Sequence, residues 1–108
     1  MSDPVTLADD IHVGIGRAHR RWFAAFDEID RDECWREDGA HDMVHWISMR
    51  YGVSYWRASR WLNTAHAIEG WPQLASALAD GSLSVDKVVE LARFATPGVR
   101  ARTGGVGG

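Results

Sequence analysis

The chain has 108 residues, with 12 Lys+Arg against 15 Asp+Glu, one cysteine and six tryptophans. That length accommodates one domain with a modest core and is too short for two. A composition 45% hydrophobic and 25% charged is globular rather than disordered. A formal charge of −3 argues against a strongly basic nucleic-acid coat protein, although a local basic patch stays open. The single cysteine, Cys34, cannot form an internal disulfide, so this is no stapled secreted scaffold. Six tryptophans are several times ordinary usage, and their rings are expected to organise the core.

The start, Met1-Ser2-Asp3-Pro4, is acidic and leads into no apolar run, unlike a secretory signal. The longest purely apolar run, Trp22 to Phe26, is five residues, far short of the ~20 that span a bilayer. A cytoplasmic protein with no membrane association is the expectation.

Residues 7 to 29 carry apolar side chains at Leu7, Ile11, Ile15, Ala18, Trp22, Phe26 and Ile29. Those spacings trace one stripe of a long α-helix and fit no strand. Thr6 with Asp9 resembles a capping box, and Gly14 and Gly16 weaken the helix interior by about 1 kcal/mol each. From Asp27 to Asp38 seven acids face only Arg31 and Arg36, which reads as a solvated connector.

A second helix is expected from Ala40 to about Tyr51, with Ala40, Val44, Ile47 and Tyr51 on its apolar face. Gly52 stops it, and Ser54 is placed to cap a third helix running to about Glu69. Gly70 ends that helix. Pro72 opens a short fourth helix, where its missing N–H costs nothing, with Leu74 and Leu78 inward and Gly81 at its close. Ser84 caps a fifth, with Val85, Val88, Ala92 and Ala95 inward, ended by Thr96-Pro97. No segment alternates with period two. The fold class is all-α: residues 1–97 form a helical domain of about five helices, one long helix followed by a helix-turn-helix-like hairpin and two shorter helices. Residues 98–108 hold five glycines and read as a flexible tail, the expected end of a truncated piece.

The second and third helices carry the most functional information. A helix-turn-helix needs a small residue where its helices cross, glycine at the turn four residues later, and apolar residues at set offsets. Ser48 fills the small position and Gly52 the turn, while Ile47, Tyr51, Val53, Ala58 and Trp61 take the apolar offsets. This register leaves Tyr55, Trp56, Ser59, Arg60 and Asn63 on the outer side of the third helix. In a DNA-binding version that side enters the major groove, where Arg pairs with guanine and Asn with adenine. Charge supports this locally. Residues 1–49 hold five Arg against eleven acids, 65–108 are balanced, and 50–64 hold only Arg50, Arg57 and Arg60. The candidate DNA-contacting set is therefore Arg50, Tyr55, Trp56, Arg57, Ser59, Arg60 and Asn63. Three arginines make a small phosphate footprint, and the same pattern describes any two helices joined by a short Gly turn.

Catalytic arrangements are absent from the sequence. His41 and His45, four apart, have a zinc-chelating spacing, but Asp42 is shorter than a general-base Glu and no third ligand falls in register. Cys34 sits among acids that disfavour its thiolate. Asn63 is the only Asn, so no His-Asn-His nuclease constellation can be assembled. No cofactor or metal is expected.

Several runs together resemble a known family: Asp38-Gly39-Ala40, His45-Trp46-Ile47, Arg50-Tyr51-Gly52-Val53-Ser54 and Ala58, then Ala65-His66-Ala67-Ile68 and Trp71-Pro72-Gln73-Leu74. They continue through Ala77-Leu78-Ala79-Asp80-Gly81, Leu83-Ser84-Val85-Asp86-Lys87-Val88 and Ala95-Thr96-Pro97. In order and spacing these resemble the bacterial domain of unknown function 222, the thirteen-E-twelve repeat family, over roughly residues 15 to 97. The resemblance implies a helical domain that in full-length relatives precedes an HNH endonuclease domain, whose metal and catalytic positions have no counterpart here. It carries over no site residues. After Pro97 the sequence departs from the family, running into glycines where relatives continue with acids and another helix.

Two functions remain open on these grounds, with a zinc enzyme centred on His41 and His45 as a third reading. One is a non-catalytic helical module that engages double-stranded DNA. The other is a protein-interaction or oligomerisation module whose exposed aromatics, with Trp35, Tyr55 and Trp56 as candidates, are covered by self or another protein.

Overall fold

The computed structural model describes residues 3–94, and these hold five α-helices and no strand. They are α1 (Pro4–Arg31), α2 (Met43–Tyr51), α3 (Tyr55–Glu69), α4 (Pro72–Ala79) and α5 (Val85–Ala92), with a short 3-10 helix (Cys34–Asp38) between α1 and α2. No helix among the described residues is long and apolar enough to cross a membrane. The expected Ala95 and Thr96-Pro97 helix end and the 98–108 tail lie outside the described residues.

Local chemistry accounts for most boundaries. The Ser54 hydroxyl accepts the Arg57 N–H at 3.0 Å, and that of Ser84 accepts the Lys87 N–H at 3.2 Å, so both serines cap as their positions require. Pro72 opens α4, with Leu74 and Leu78 buried beneath it. Three expectations are corrected. The cap of α1 is Asp3 rather than a Thr6–Asp9 box: its carboxylate accepts the Thr6 N–H at 2.7 Å, and Pro4 follows at the first helical position. α2 starts at Met43, not Ala40, because the Asp42 carboxylate takes the His45 N–H at 2.8 Å. α5 ends at Ala92, ahead of Thr96-Pro97.

α3 is the central helix, packed by α1, α2, α4 and α5. Ala58 and Ala65 are fully buried on it, and their small size lets neighbouring helices come close. Phe23, Phe26, Ile47, Ile68, Leu78 and Val88 fill the core. The tryptophans form its edge. Trp22 meets Trp61 with ring centres 5.0 Å apart and Tyr51 edge-on at 5.2 Å, a geometry that suits the ring quadrupoles. Trp46 is buried, with its indole N–H donating to Asp38 at 2.7 Å. Trp35, without an inward position in the sequence pattern, packs half-buried against the core, its indole N–H buried and without a hydrogen-bond partner among the described residues.

The apolar stripe of α1 is the largest departure. Leu7, Ile11 and Ile15 are 54%, 54% and 48% exposed, whereas Gly16, Phe23, Phe26 and Asp27 face the core. The turn after α4 lies against Val13 in the first half of the helix, and Leu7, Ile11 and Ile15 stay exposed among the described residues. The acidic connector also differs from the expectation: α1 continues through Arg31, and Asp27 is buried.

Candidate functional site

The turn between α2 and α3 forms as the small-residue and glycine positions require. Gly52 adopts φ 66°, the left-handed conformation that a β-carbon disfavours, and its N–H bonds to the Ser48 carbonyl. The Ser48 hydroxyl donates to the Val53 carbonyl at 2.7 Å, satisfying a backbone oxygen inside the turn. Trp61, larger than such hairpins ordinarily hold, is absorbed by the aromatic edge around Trp22.

Six of the seven sequence-derived residues fall into three groups, and Ser59 lies outside them, exposed on α3. Arg50 and Tyr55 turn toward the start of α2. The Arg50 guanidinium lies 5.0 Å over the Trp46 ring and 3.8 Å from Asp38, and the Tyr55 hydroxyl donates to Asp42 at 3.2 Å. The Tyr55 phenol is held above its ordinary range, first by desolvation and then by the charge and hydrogen bond of Asp42. Asn63 is engaged elsewhere: its amide donates to the Ala92 carbonyl at 3.1 Å, closing the C-terminal end of α5.

Trp56, Arg57 and Arg60 form the third group, on the wall of a cleft of about 390 Å³ between α1, α3 and α5. Trp56 is 66% exposed. Arg60 stacks 5.0 Å over its ring and reaches Glu90 of α5 at 3.4 Å, while the Arg60 Nε is buried and has no hydrogen-bond partner among the described residues. Arg57 is exposed and enters no ion pair among the described residues, and Ser59 is exposed on the same turns. Asp86 and Glu90 on the opposite wall offset the two arginines. The outward part of α3 is therefore its N-terminal turns, since α5 covers the half that holds Asn63.

One polar constellation escaped the sequence reading. His66 on α3 lies between two carboxylates of α1, with Nδ1 at 2.8 Å from Asp27 and Nε2 at 2.9 Å from Asp30. Arg31 also donates to Asp27 at 3.1 Å. The only available signal was the i, i+3 spacing of Asp27 and Asp30, which sets both on one helix face, and seven clustered acids hid it. The cluster joins α1 to α3.

His41 and His45 stack with ring centres 4.6 Å apart, and the His45 Nδ1 accepts the His41 backbone N–H at 2.9 Å. That bond occupies one of the nitrogens a metal would use. No group of three or more His, Cys, Asp or Glu among the described residues is arranged to hold a metal ion. Cys34 is exposed.

No curated protein matches the chain, and no solved structure matches it. A family model does, over residues 8–103, which takes in every helix from the second turn of α1 onward. The chain belongs to the family described as Domain of unknown function (DUF222).

Proposed function

We propose that this chain is the non-catalytic helical module of an HNH endonuclease-type protein, holding no cofactor, acting in the cytoplasm and contacting double-stranded DNA through the N-terminal turns of α3. The observation that carries this reading is the α2–α3 hairpin. Its turn is closed by Ser48 and Gly52, and it presents Trp56, Arg57 and Ser59 to solvent at the start of the second helix. An unpaired arginine beside an exposed tryptophan suits phosphate contact with an adjacent stacking surface. The sequence resemblance to HNH-associated relatives supplies the protein context.

The test is fluorescence anisotropy with duplex DNA across a salt series, comparing the native chain with Trp56→Ala plus Arg57→Ala. Arg60 is left intact, because its contact with Glu90 ties α3 to α5. Affinity that falls with salt and is lost in the double variant supports the reading. Equal affinity in both proteins rejects the proposed face. The second reading, a protein-interaction module, draws on the exposure of Trp56 and Tyr55, 66% and 55%. It is favoured if DNA is not bound at any salt concentration and the same double variant loses a protein partner.

A further inference from the structure

The apolar stripe of α1 extends beyond the part that the core buries. Ala8, Ile11, Ile15, Ala18, Trp22, Ala25 and Ile29 recur at alternating intervals of three and four, the 3.5-residue repeat of a coiled-coil seam. Ala8, Ile11, Ile15, Ala18 and Ala25 are all exposed, and Trp22 and Ile29 are half-buried. Trp22 and Ile29 join the seam to the core, and the residues from Ala8 to Ala18 lie to one side of the core face set by Gly16, Phe23, Phe26 and Asp27. Ile15, Ala18, Arg21 and Trp22 lie side by side on this open face of the helix. An apolar row of this length in water marks an unmet interface.

We infer that α1 pairs antiparallel with α1 of a second copy of this chain through this seam. Charge argues for both the occupant and the direction. The first turns of α1 carry Asp9 and Asp10 with no basic residue, and the middle carries Arg17, Arg20 and Arg21. Arg20 is paired with Glu69, while Asp10, Arg17 and Arg21 enter no ion pair among the described residues. A parallel pair would set arginines against arginines and acids against acids. An antiparallel pair sets Asp10 of each copy within a turn of Arg21 of the other. In that register Ile15 meets Ala18 and Ile11 meets Trp22, and Ala8 to Ala25 overlap over about 26 Å at 1.5 Å per residue. A two-fold axis between the helices uses every contact twice. The sequence after Phe94 has only Val99 and Val106 as large aliphatic residues and no helical apolar repeat, so it does not match the seam.

This inference is independent of DNA contact, which uses α3. Its test is sedimentation equilibrium of the whole chain over a concentration series. The native chain forms a concentration-dependent dimer, and Ile11→Asp plus Ile15→Asp is monomeric, with unchanged far-UV dichroism because both side chains are exposed. Arg21→Glu weakens association about fivefold, as two rim ion pairs are lost and replaced by repulsion. Adding Asp10→Arg to Arg21→Glu restores it. A native chain that stays monomeric at every concentration overturns the inference, as does a dimer indifferent to the Ile11 and Ile15 changes. Failure of the charge swap to restore association overturns the antiparallel arrangement.

Discussion

The carbonyl oxygen of Leu78 on α4 occupies the place where a β-carbon on Gly16 of α1 would sit. The obstructing atom is backbone, so no side-chain rotation relieves the clash, and the two helices touch only because residue 16 is glycine. Gly14, one half-turn away, has no such neighbour: a β-carbon there meets open space.

The two glycines therefore respond in opposite senses to the same change. Gly16→Ala forces α1 away from α4 and destabilises the protein by about 2 kcal/mol, within the range of core overpacking. Gly14→Ala removes backbone freedom from the unfolded chain at a helical position and stabilises by about 0.5–1 kcal/mol. Thermal melts of the two variants, moving down and up from the native value, check the pair.

His66 holds α1 to α3 through two carboxylates, and its removal leaves Asp27, whose side chain is 12% exposed, with Arg31 as its remaining partner. His66→Ala costs about 1–2 kcal/mol, the loss of charge-assisted bonds discounted for partial exposure. His66→Asn keeps one donor and falls between. Urea midpoints rank the proteins native, Asn, Ala. In a double-mutant cycle with Asp27→Asn, the two substitutions together cost less than their sum.

The N-terminal cap of α1 gives a pH dependence confined to one turn. Asp3 titrates below its ordinary value of 3.8, chiefly because its carboxylate accepts the Thr6 backbone N–H and then the Thr6 hydroxyl. A lowered carboxyl pKa means that the folded state binds the proton less tightly. The contribution is therefore complete above pH 3.8 and lost as pH falls through the lower folded value. Amide exchange at Thr6 and Leu7 slows to its native level above that range and quickens below it, while Asp3→Ala is fast throughout. Val5 and Leu7 are exposed, so the change appears as fraying of the first turns rather than as a shift in the global melt.

The helices themselves were legible in the sequence because their signals are local. Ser54 and Ser84 cap the turns directly following them, Pro72 suits only a first helical position, and Gly52 alone accepts the left-handed turn at low cost. The helix-turn-helix register also follows from spacing, since a small residue and a glycine four apart determine how two joined helices cross. The surroundings of the candidate residues were less legible. Exposure of Trp56 and Arg57 follows from helical phase, but the capture of Asn63 by the Ala92 carbonyl and of Arg60 by Glu90 depends on α5, about thirty residues onward.

Periodicity in α1 shows where these two kinds of information part. A stripe in the sequence establishes that one side of a helix is apolar, because burial of that side is what makes the helix worth forming in water. It does not say which neighbour buries it, since burial is non-directional and any apolar surface serves. Only the tertiary arrangement decides that Phe23 and Phe26 enter this core while Ile11 and Ile15 stay in water. It does so by the reach of the packing elements: among the described residues, α4 comes against α1 at Gly16 and the turn after it at Val13, which leaves Ile11 and Ile15 exposed.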